Sequence, residues 1–184
     1  MKYRFFSLSE LLESASKNKT RKLLKTFKCK KNTDLESFLH HKAILFEEKG
    51  RIRTYLLIDF ENKKIVAYFS IGISVLNISE LENDVKVLLS GDENNKRDFI
   101  PCYLIGQLGK SDEYKKCKIG KNLLSKAVKT IKECQIKLNG RFILLDAVNN
   151  TKVLRFYTKH NFMPIEKITK NKESIKMILP IVKE

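Results

Sequence analysis

The sequence of 184 residues predicts one α/β (α+β) domain in which helices flank a mixed, mostly antiparallel sheet. Residues 141–148, "RFILLDAV", are a continuous apolar run, which is typical of a buried central strand. Residues 119–137 place apolar side chains on one helical face and lysines on the other. Along the chain, helices come first, then an antiparallel pair of strands, then strand–helix–strand–helix–strand. This order is typical of a mixed sheet.

The first 31 residues are predicted to form a basic helical extension of the domain. Residues 7–26 have a helical pattern, and Ser7 with Glu10 has the spacing of a capping box. Residues 17–31 are rich in lysine and contain no acidic residue. We therefore expect this extension to carry positive charge at the protein surface.

A second N-terminal helix is predicted over residues 32–50. Thr33 and Glu36 have capping-box spacing, an apolar stripe follows, and Gly50 marks the end of the helix. We expect the apolar stripe to pack on the sheet.

The middle of the chain is predicted to be mainly strands. Residues 53–60 and 64–76 flank "ENKK" and form a hairpin, and residues 99–110 form a further strand. The polar segment 79–98 between them is expected to be a loop or a short helix. After the central strand, we expect a helix from about Thr151 to His160 and a last strand over 175–182.

Composition restricts the class of protein. A net charge of +16 favours a polyanionic partner such as RNA, DNA or an acidic protein. An AT-rich genome would give the same excess of lysine without any function. No apolar run is long enough to span a bilayer and no secretory signal opens the chain, so we expect a cytoplasmic protein with no membrane contact.

The four cysteines do not indicate a metal site. They are scattered, with no CxxC pair and no cluster with histidine, so we interpret them as reduced thiols. The four are Cys29, Cys102, Cys117 and Cys134.

Residues 113–124, "EYKKCKIGKNLL", carry the clearest functional signal. A turn that leads into a helix presents unpaired main-chain N–H groups, which suit an anion and phosphate above all. Gly120 would allow close approach of a ligand, and four lysines add charge. Taken alone, the pattern is more typical of a solvated surface, and it is neither a Walker loop nor a dinucleotide-binding fingerprint. The four lysines are Lys115, Lys116, Lys118 and Lys121.

The order of strand 102–110, turn 114–120, helix, strand and then 150–162 resembles the GNAT N-acetyltransferase superfamily. In that family the turn reads Q/R-x-x-G-x-G/A, and here Lys115-Lys116-Cys117-Lys118-Ile119-Gly120 occupies it. The family's later segment reads roughly N-x-x-A-x-x-hydrophobic-Tyr-x-x-x-Gly-Phe. The residues in register with it are Asn150, Val153, Phe156, Tyr157, Asn161 and Phe162.

The resemblance extends over residues 27–166 and is strongest to the subgroup that includes bacterial toxins acetylating aminoacyl-tRNA. This sequence departs from the family in having Lys118 at a glycine position and Lys115 in place of glutamine or arginine. Lys118 would need an allowed backbone angle or would carry strain. Asn161 also replaces a glycine, and asparagine enters the left-handed region more easily than most residues.

The resemblance implies acetyl-CoA as the cofactor and a single GNAT-like domain over residues 1–184 with splayed central strands. The diphosphate would lie on the N–H groups of residues 116–121, and the pantetheine arm would pair with the strand edge at 108–110. A main-chain N–H near Leu108 would hold developing negative charge. The implied cofactor-binding residues are Leu108, Gly109, Lys110, Lys115, Lys116, Cys117, Lys118, Ile119, Gly120, Lys121 and Asn150.

Tyr157 is the candidate catalytic residue, because the resemblance gives its phenol the role of general acid toward the leaving thiolate. The alternative is that Tyr157 only packs in a helix core. Asn150 could bond the cofactor arm or cap the helix. No general base is evident. Asp146 could be a buried base or a structural carboxylate, and His160 is expected to pack or lie at the surface.

The leading hypothesis is an acetyl-CoA-dependent N-acetyltransferase for a primary amine, with aminoacyl-tRNA as the acceptor that suits the charge. An antitoxin would then be a partner, and a homodimer is compatible with the sequence. The alternatives are a metabolite or protein amine as acceptor, or a non-catalytic nucleic-acid-binding protein with this fold.

Overall fold

The computed structural model describes residues 3–169 and 171–182. The predicted domain also includes residues 1–2, 170 and 183–184, which lie outside the described residues. The strands are β1 (Tyr3–Ser7), β2 (Ile52–Asp59), β3 (Lys64–Asn77), β4 (Phe99–Lys110), β5 (Phe142–Val148), β6 (Met163–Pro164) and β7 (Ser174–Pro180). The α-helices are α1 (Leu8–Ser14), α2 (Lys17–Leu24), α3 (Thr33–Ser37), α4 (Ala43–Glu48), α5 (Asn83–Ser90), α6 (Gly120–Leu138) and α7 (Thr151–Thr158).

The strands form one mixed sheet in the order β1-β2-β3-β4-β5-β7-β6. The pairs β1–β2, β2–β3, β5–β7 and β6–β7 are antiparallel, whereas β4 and β5 are parallel, with Tyr103 opposite Ile143. The predicted fold class is therefore confirmed. The splaying of β4 and β5 stays a prediction.

The chain divides into two compact units. The first consists of Met1–Gly72 with Ile105–Lys129, and the second of Ile73–Leu104 with Thr130–Glu184. The turn that carries the predicted phosphate site belongs to the first unit. Tyr157 belongs to the second.

The N-terminal segment of the first unit begins as a strand, which the sequence did not predict. β1 pairs antiparallel with β2, with Phe6 opposite Leu56. The helix expected from Ser7 follows as α1, and its capping box is confirmed: the Ser7 hydroxyl accepts from the Glu10 N–H, and the Glu10 carboxylate accepts from the Ser7 N–H. β1 could not be predicted from the sequence, because five residues are too few to show a clear alternation of apolar and polar side chains.

The helical segment after residue 32 starts with a different cap from the predicted one. Asn32, and not Thr33, is the N-cap, and its side chain accepts from the Leu35 N–H. Glu36 instead accepts from the Cys29 N–H at 2.8 Å. A π-helical turn over Phe38–Lys42 joins α3 to α4. Gly50 follows the helix with a φ of 63°, as its position predicted.

The core of the first unit lies between these helices and β2 and β3. The Phe38 ring stacks on the Tyr68 ring with an interplanar angle of 4°, and the Tyr68 hydroxyl donates to the Leu35 carbonyl at 2.6 Å. This bond fixes α3 to β3. The other fully buried members of this core include Leu8, Phe27, Leu39, Ala43, Leu56 and Ile65.

The strands and helices that the sequence predicted after residue 99 are present, with bounds that differ by at most two residues. The second unit contains the first part of β4, the second part of α6, and β5, α7 and β7. The polar segment before β4 contains α5, whose Leu89 is buried. β6 is an addition of two residues that the sequence did not predict. The core of this unit includes Leu76, Ile78, Leu89, Cys102, Phe142, Leu144 and Ile178.

The connection from α6 to β5 is a tight turn with two residues of positive φ. Asn139 has a φ of 57° and Gly140 one of 126°. The Tyr103 hydroxyl donates to the Asn139 carbonyl, and a Cβ added to Gly140 would lie 2.5 Å from a ring carbon of Tyr103. Glycine is therefore required for both backbone and steric reasons.

We predict that Gly140→Ala lowers the free energy of unfolding by about 2–4 kcal/mol, because backbone strain and a clash with the Tyr103 ring add together. Gly50→Ala is the matched control, since Gly50 also has a positive φ but has nothing within 4 Å of an added Cβ. Its cost is expected to be about 1 kcal/mol. Urea unfolding of both variants tests this, and equal costs would contradict it.

Candidate functional site

The segment between β4 and α6 is tied to the rest of the first unit by main-chain bonds. The Ser111 N–H donates to the Val66 carbonyl at 2.8 Å, and the Asp112 N–H donates to the Lys28 carbonyl at 2.7 Å. A single 3-10 turn follows over Asp112–Tyr114. The turn therefore starts from a fixed position on the sheet.

Two acidic side chains hold this segment from either side. The Asp112 carboxylate accepts from the Lys30 N–H at 2.8 Å and lies 3.3 Å from the Lys115 ammonium. The bond from the Lys30 N–H and the charge of Lys115 both lower the pKa of Asp112. The buried Asp59 carboxylate accepts from the Tyr114 hydroxyl at 2.9 Å. Burial, and then this bond, raise the pKa of Tyr114.

The main-chain N–H groups of the turn fall into two classes. The Cys117 N–H donates to the Tyr114 carbonyl and the Ile119 N–H to the Cys117 carbonyl, each at 2.9 Å. Four other N–H groups have no acceptor among the described residues, as expected at the start of a helix. These four belong to Lys116, Lys118, Gly120 and Lys121.

Fewer main-chain N–H groups are therefore available to a diphosphate than the prediction over residues 116–121 assumed. Cys117 and Ile119 use their N–H groups inside the turn in this structure. The remaining four donors suit an anion, and the ammonium groups of three of the same residues are exposed. Lys115 is partly neutralised by Asp112.

Lys118 carries none of the backbone strain that its glycine-like position suggested. The non-glycine residues with positive φ in the described part of the chain are Lys63, Asn139 and Asn161. The substitution at 118 therefore keeps an ordinary backbone conformation and adds a positive charge beside the free N–H groups.

The residues predicted to bind the pantetheine arm lie at the end of β4. Leu108 and Gly109 belong to the strand, and Lys110 is its last residue. A Cβ added to Gly109 would lie 2.8 Å from a methyl carbon of Leu35, so α3 covers this position closely. The Lys110 side chain turns back and donates to the carbonyls of Lys115 and Cys117.

α7 begins and ends with well-formed caps in the second unit. The Asn150 side chain accepts from the Lys152 N–H at 3.0 Å, so its predicted capping role is confirmed, and its role toward a cofactor stays a prediction. Asn161 has a φ of 65°, as its replacement of a glycine predicted. The bonds from Phe162 N–H to Tyr157 O and from Asn161 N–H to Thr158 O form a Schellman motif.

Tyr157 is held in place by this helix end. Its ring contacts those of Phe156 and Phe162, with centroid distances of 5.2 and 5.7 Å. The residue is 9% exposed, and its hydroxyl has no hydrogen-bond partner among the described residues. Burial raises the pKa of Tyr157 to about 12, so the phenol is protonated at neutral pH. Packing is thus confirmed, while a proton-donating role stays a prediction.

The other candidate side chains have structural surroundings. Asp146 is exposed and pairs with Lys176 at 2.9 Å, so it is not a buried base. The His160 ring contacts Phe156, and its Nδ1 lies 2.7 Å from the Phe156 carbonyl. In the part of the chain that the structure describes, no His, Cys, Asp or Glu cluster could hold a metal ion. All four cysteines are free thiols.

No helix among residues 3–169 and 171–182 has the length and apolar character needed to cross a membrane.

Solved structures provide the comparison, since no protein-family model and no curated protein matches the sequence. AtaT complexed with acetyl-methionyl-tRNAfMet has a TM-score of 0.72 at 16% identity, with 97% of this chain and 94% of that chain covered. A tyrosine-to-phenylalanine mutant of KacT has a TM-score of 0.75 at 13% identity, with coverages of 98% and 95%. The chain has the GNAT-like fold of AtaT and KacT.

A third structure of this fold, AtaTR bound with AcCoA, has a TM-score of 0.71 at 17% identity and covers 97% of this chain and 94% of that chain. The GNAT-like fold thus extends over nearly the whole of the present chain, including the basic N-terminal segment.

The sequence did not reveal the side chains that shape the turn. Asp59 is 55 residues from Tyr114, and Lys30 is 82 residues from Asp112. Such pairs have no local pattern, and only the pairing of β2 with β3 and the position of β4 bring them together. From the sequence, only the main chain of Lys110 was expected to bind the cofactor, whereas in the structure its side chain donates to two carbonyls of the turn.

We predict that Tyr157 makes the wild-type protein more sensitive to alkali than its Tyr157→Phe variant. A folded-state pKa of about 12, against about 10 in the unfolded chain, contributes stability that is present below pH 10 and is lost as the pH rises toward 12. The wild type should lose about 1 kcal/mol more than the variant between pH 9 and pH 11.

Urea unfolding at pH 7, 9 and 11 measures this difference. The gap between the two proteins should be constant from pH 7 to 9, which serves as the internal control. A gap that also stays constant up to pH 11 would show that the phenol titrates normally.

Proposed function

We propose that this protein is an acetyl-CoA-dependent N-acetyltransferase whose acceptor is the amine of aminoacyl-tRNA. The observation that carries the proposal is the set of unpaired main-chain donors at Lys116, Lys118, Gly120 and Lys121. They occur at the start of α6 on a fold shared with AtaTR, which has been solved bound with AcCoA.

The turn fits the diphosphate of acetyl-CoA in both charge and hydrogen bonding. Four N–H donors and the exposed ammonium groups of Lys116, Lys118 and Lys121 would bind its oxygens, and no acidic residue lies between residues 114 and 121. When bound, acetyl-CoA would supply an activated acetyl thioester. The main chain at Leu108, Gly109 and Lys110 would hold its pantetheine arm.

Tyr157 would supply a proton from its hydroxyl oxygen to the departing thiolate sulfur. Burial keeps the phenol protonated, and no described side chain competes for its hydroxyl. The Schellman motif and the Phe162 ring keep the tyrosine in one orientation. AtaT and KacT have both been solved as mutants with one tyrosine replaced by phenylalanine, the change that removes only a phenolic oxygen.

The choice of aminoacyl-tRNA rests on charge. The net charge of +16 suits a polyanion, and the segment 17–31 carries exposed cations and no acid. AtaT has been solved with acetyl-methionyl-tRNAfMet, which supports the same acceptor class for this chain.

A protein partner would follow from the same proposal. AtaT has been solved bound to the C-terminus of the antitoxin AtaR, and the KacTA complex has been solved with DNA. We therefore propose that an antitoxin binds this chain and that unrestrained activity arrests growth.

We predict that acetyl-CoA stabilises the protein and that S-acetylpantetheine, which lacks the diphosphate, does not. At a hundredfold excess over Kd, ligand binding adds about 2.7 kcal/mol, which corresponds to a rise in Tm of roughly 5–10 °C for a chain of this size. Thermal denaturation with each compound at equal concentration measures this. No shift at millimolar acetyl-CoA would favour the non-catalytic alternative, and equal shifts would rule out diphosphate recognition.

We predict that Tyr157→Phe lowers kcat by about 10²–10⁴-fold and leaves the Kd for acetyl-CoA within about twofold, because only proton donation is lost. Tyr103→Phe is the matched control, since its hydroxyl bonds the Asn139 carbonyl and serves the fold. It should lower stability without lowering kcat.

Transfer of labelled acetyl groups to charged tRNA, uncharged tRNA and free amines measures activity. Labelling of charged tRNA alone is expected, and growth arrest on induced expression should be relieved by Tyr157→Phe. Labelling of small amines alone would show that aminoacyl-tRNA is not the acceptor. A fully active Tyr157→Phe variant would show that the tyrosine takes no part in the chemistry.

A further inference from the structure

We propose that Lys110 is a positioning residue whose ammonium holds the turn after β4 in its anion-binding shape. The ligand part of this inference rests on the proposed function. The Lys110 Nζ lies 2.9 Å from the Lys115 carbonyl oxygen and 2.8 Å from that of Cys117. Both distances are those of charge-assisted hydrogen bonds.

These two bonds determine where two N–H groups point. In a trans peptide the C=O and N–H bonds of one plane point in opposite directions. The Lys115 carbonyl shares its plane with the Lys116 N–H, and the Cys117 carbonyl shares its plane with the Lys118 N–H. Because both carbonyls point at Lys110, both N–H groups point away from it. These are two of the four donors without an acceptor among the described residues.

The ammonium also opposes the alternative orientation of each peptide. If either peptide plane turned over, its carbonyl oxygen would face the anion and repel it. The same rotation would also break that carbonyl's hydrogen bond to the positively charged Lys110 ammonium. The Cys117 carbonyl is held a second time, by the Ile119 N–H at 2.9 Å. A cation on the carbonyl side further polarises both peptide groups, which strengthens their N–H donors.

Lys110 is well placed for this role because its main chain is rigid. It ends β4, the next residue bonds the Val66 carbonyl, and Leu35 covers Gly109. The nearby carboxylates have other partners. Asp112 accepts from the Lys30 N–H and pairs with Lys115, and Glu113 pairs with Lys64 at 2.6 Å. The Lys110 ammonium is thus left to the two carbonyls.

A direct bond from Lys110 to a phosphate is the competing role. An ammonium has three N–H donors, and the two carbonyls use two of them on the inner side of the turn. The geometry therefore favours orientation of the peptides over direct contact with the ligand.

Three variants test the inference. Lys110→Met keeps the length of the side chain and removes the charge, and Lys110→Arg restores a cation with several donors. Lys86→Met is the matched control, because Lys86 also donates to a main-chain carbonyl, that of Ser79 at 2.8 Å, in the second unit. Thermal denaturation first establishes that each variant folds.

We expect Lys110→Met to raise the Kd and KM for acetyl-CoA by about tenfold or more while kcat changes less than about threefold. Lys110→Arg should recover most of the affinity, and Lys86→Met should match the wild type. A general loss of structure would lower kcat as well as raise KM, and Lys110→Arg would restore neither value.

Hydrogen exchange of the ligand-free protein provides an independent measurement. The amides of Cys117 and Ile119 are bonded within the turn, so Lys110→Met should speed their exchange by about tenfold, with no such change in Lys86→Met. Weakened binding with unchanged exchange would show direct phosphate contact and overturn the inference. Unchanged binding in Lys110→Met would also overturn it.

Failure of the wild type itself to bind acetyl-CoA is a different result. It would overturn the proposed function and the ligand part of this inference, whereas the exchange data would still decide whether Lys110 holds the turn.

Discussion

The site depends on one constraint, which is that a short turn must expose several N–H groups without exposing the matching carbonyls. A main chain cannot do this alone, because each peptide carries both groups in opposite directions. Here the carbonyls of Lys115 and Cys117 are bonded by the Lys110 ammonium, and the Tyr114 carbonyl by the Cys117 N–H. The donors left over lie at the N-terminal end of α6, where the helix dipole adds positive potential.

Some charged side chains at the turn fix its shape, whereas others remain exposed. Asp112 ties Lys115 to the Lys30 main chain, and Glu113 pairs with Lys64. These ion pairs are partly exposed and contribute little stability individually, so their effect is mainly on geometry. Lys116, Lys118 and Lys121 remain exposed, and these are the lysines that the proposed function assigns to the diphosphate.

In the second unit, the candidate residue Tyr157 has a different kind of environment. Tyr157 is buried by aromatic neighbours, and desolvation alone raises its pKa. The Schellman motif at Asn161 places Phe162 against it, so the helix end that the sequence pattern marks is also the element that orients the phenol.

Local signals in the sequence determined the strand over 99–110, the helix after Gly120, the capping box at Ser7 and the left-handed Asn161, because each depends on neighbours a few residues away. They also pointed to the turn before α6 and to Tyr157 as candidate site residues, and these roles stay predictions. Only the tertiary structure decided that Asn32 caps α3, that Cys117 and Ile119 spend their N–H groups inside the turn, and that the Lys110 side chain faces inward. These contacts join residues no more than seven apart, but they depend on the direction of single side chains and peptide planes, which leaves no periodic pattern in the sequence.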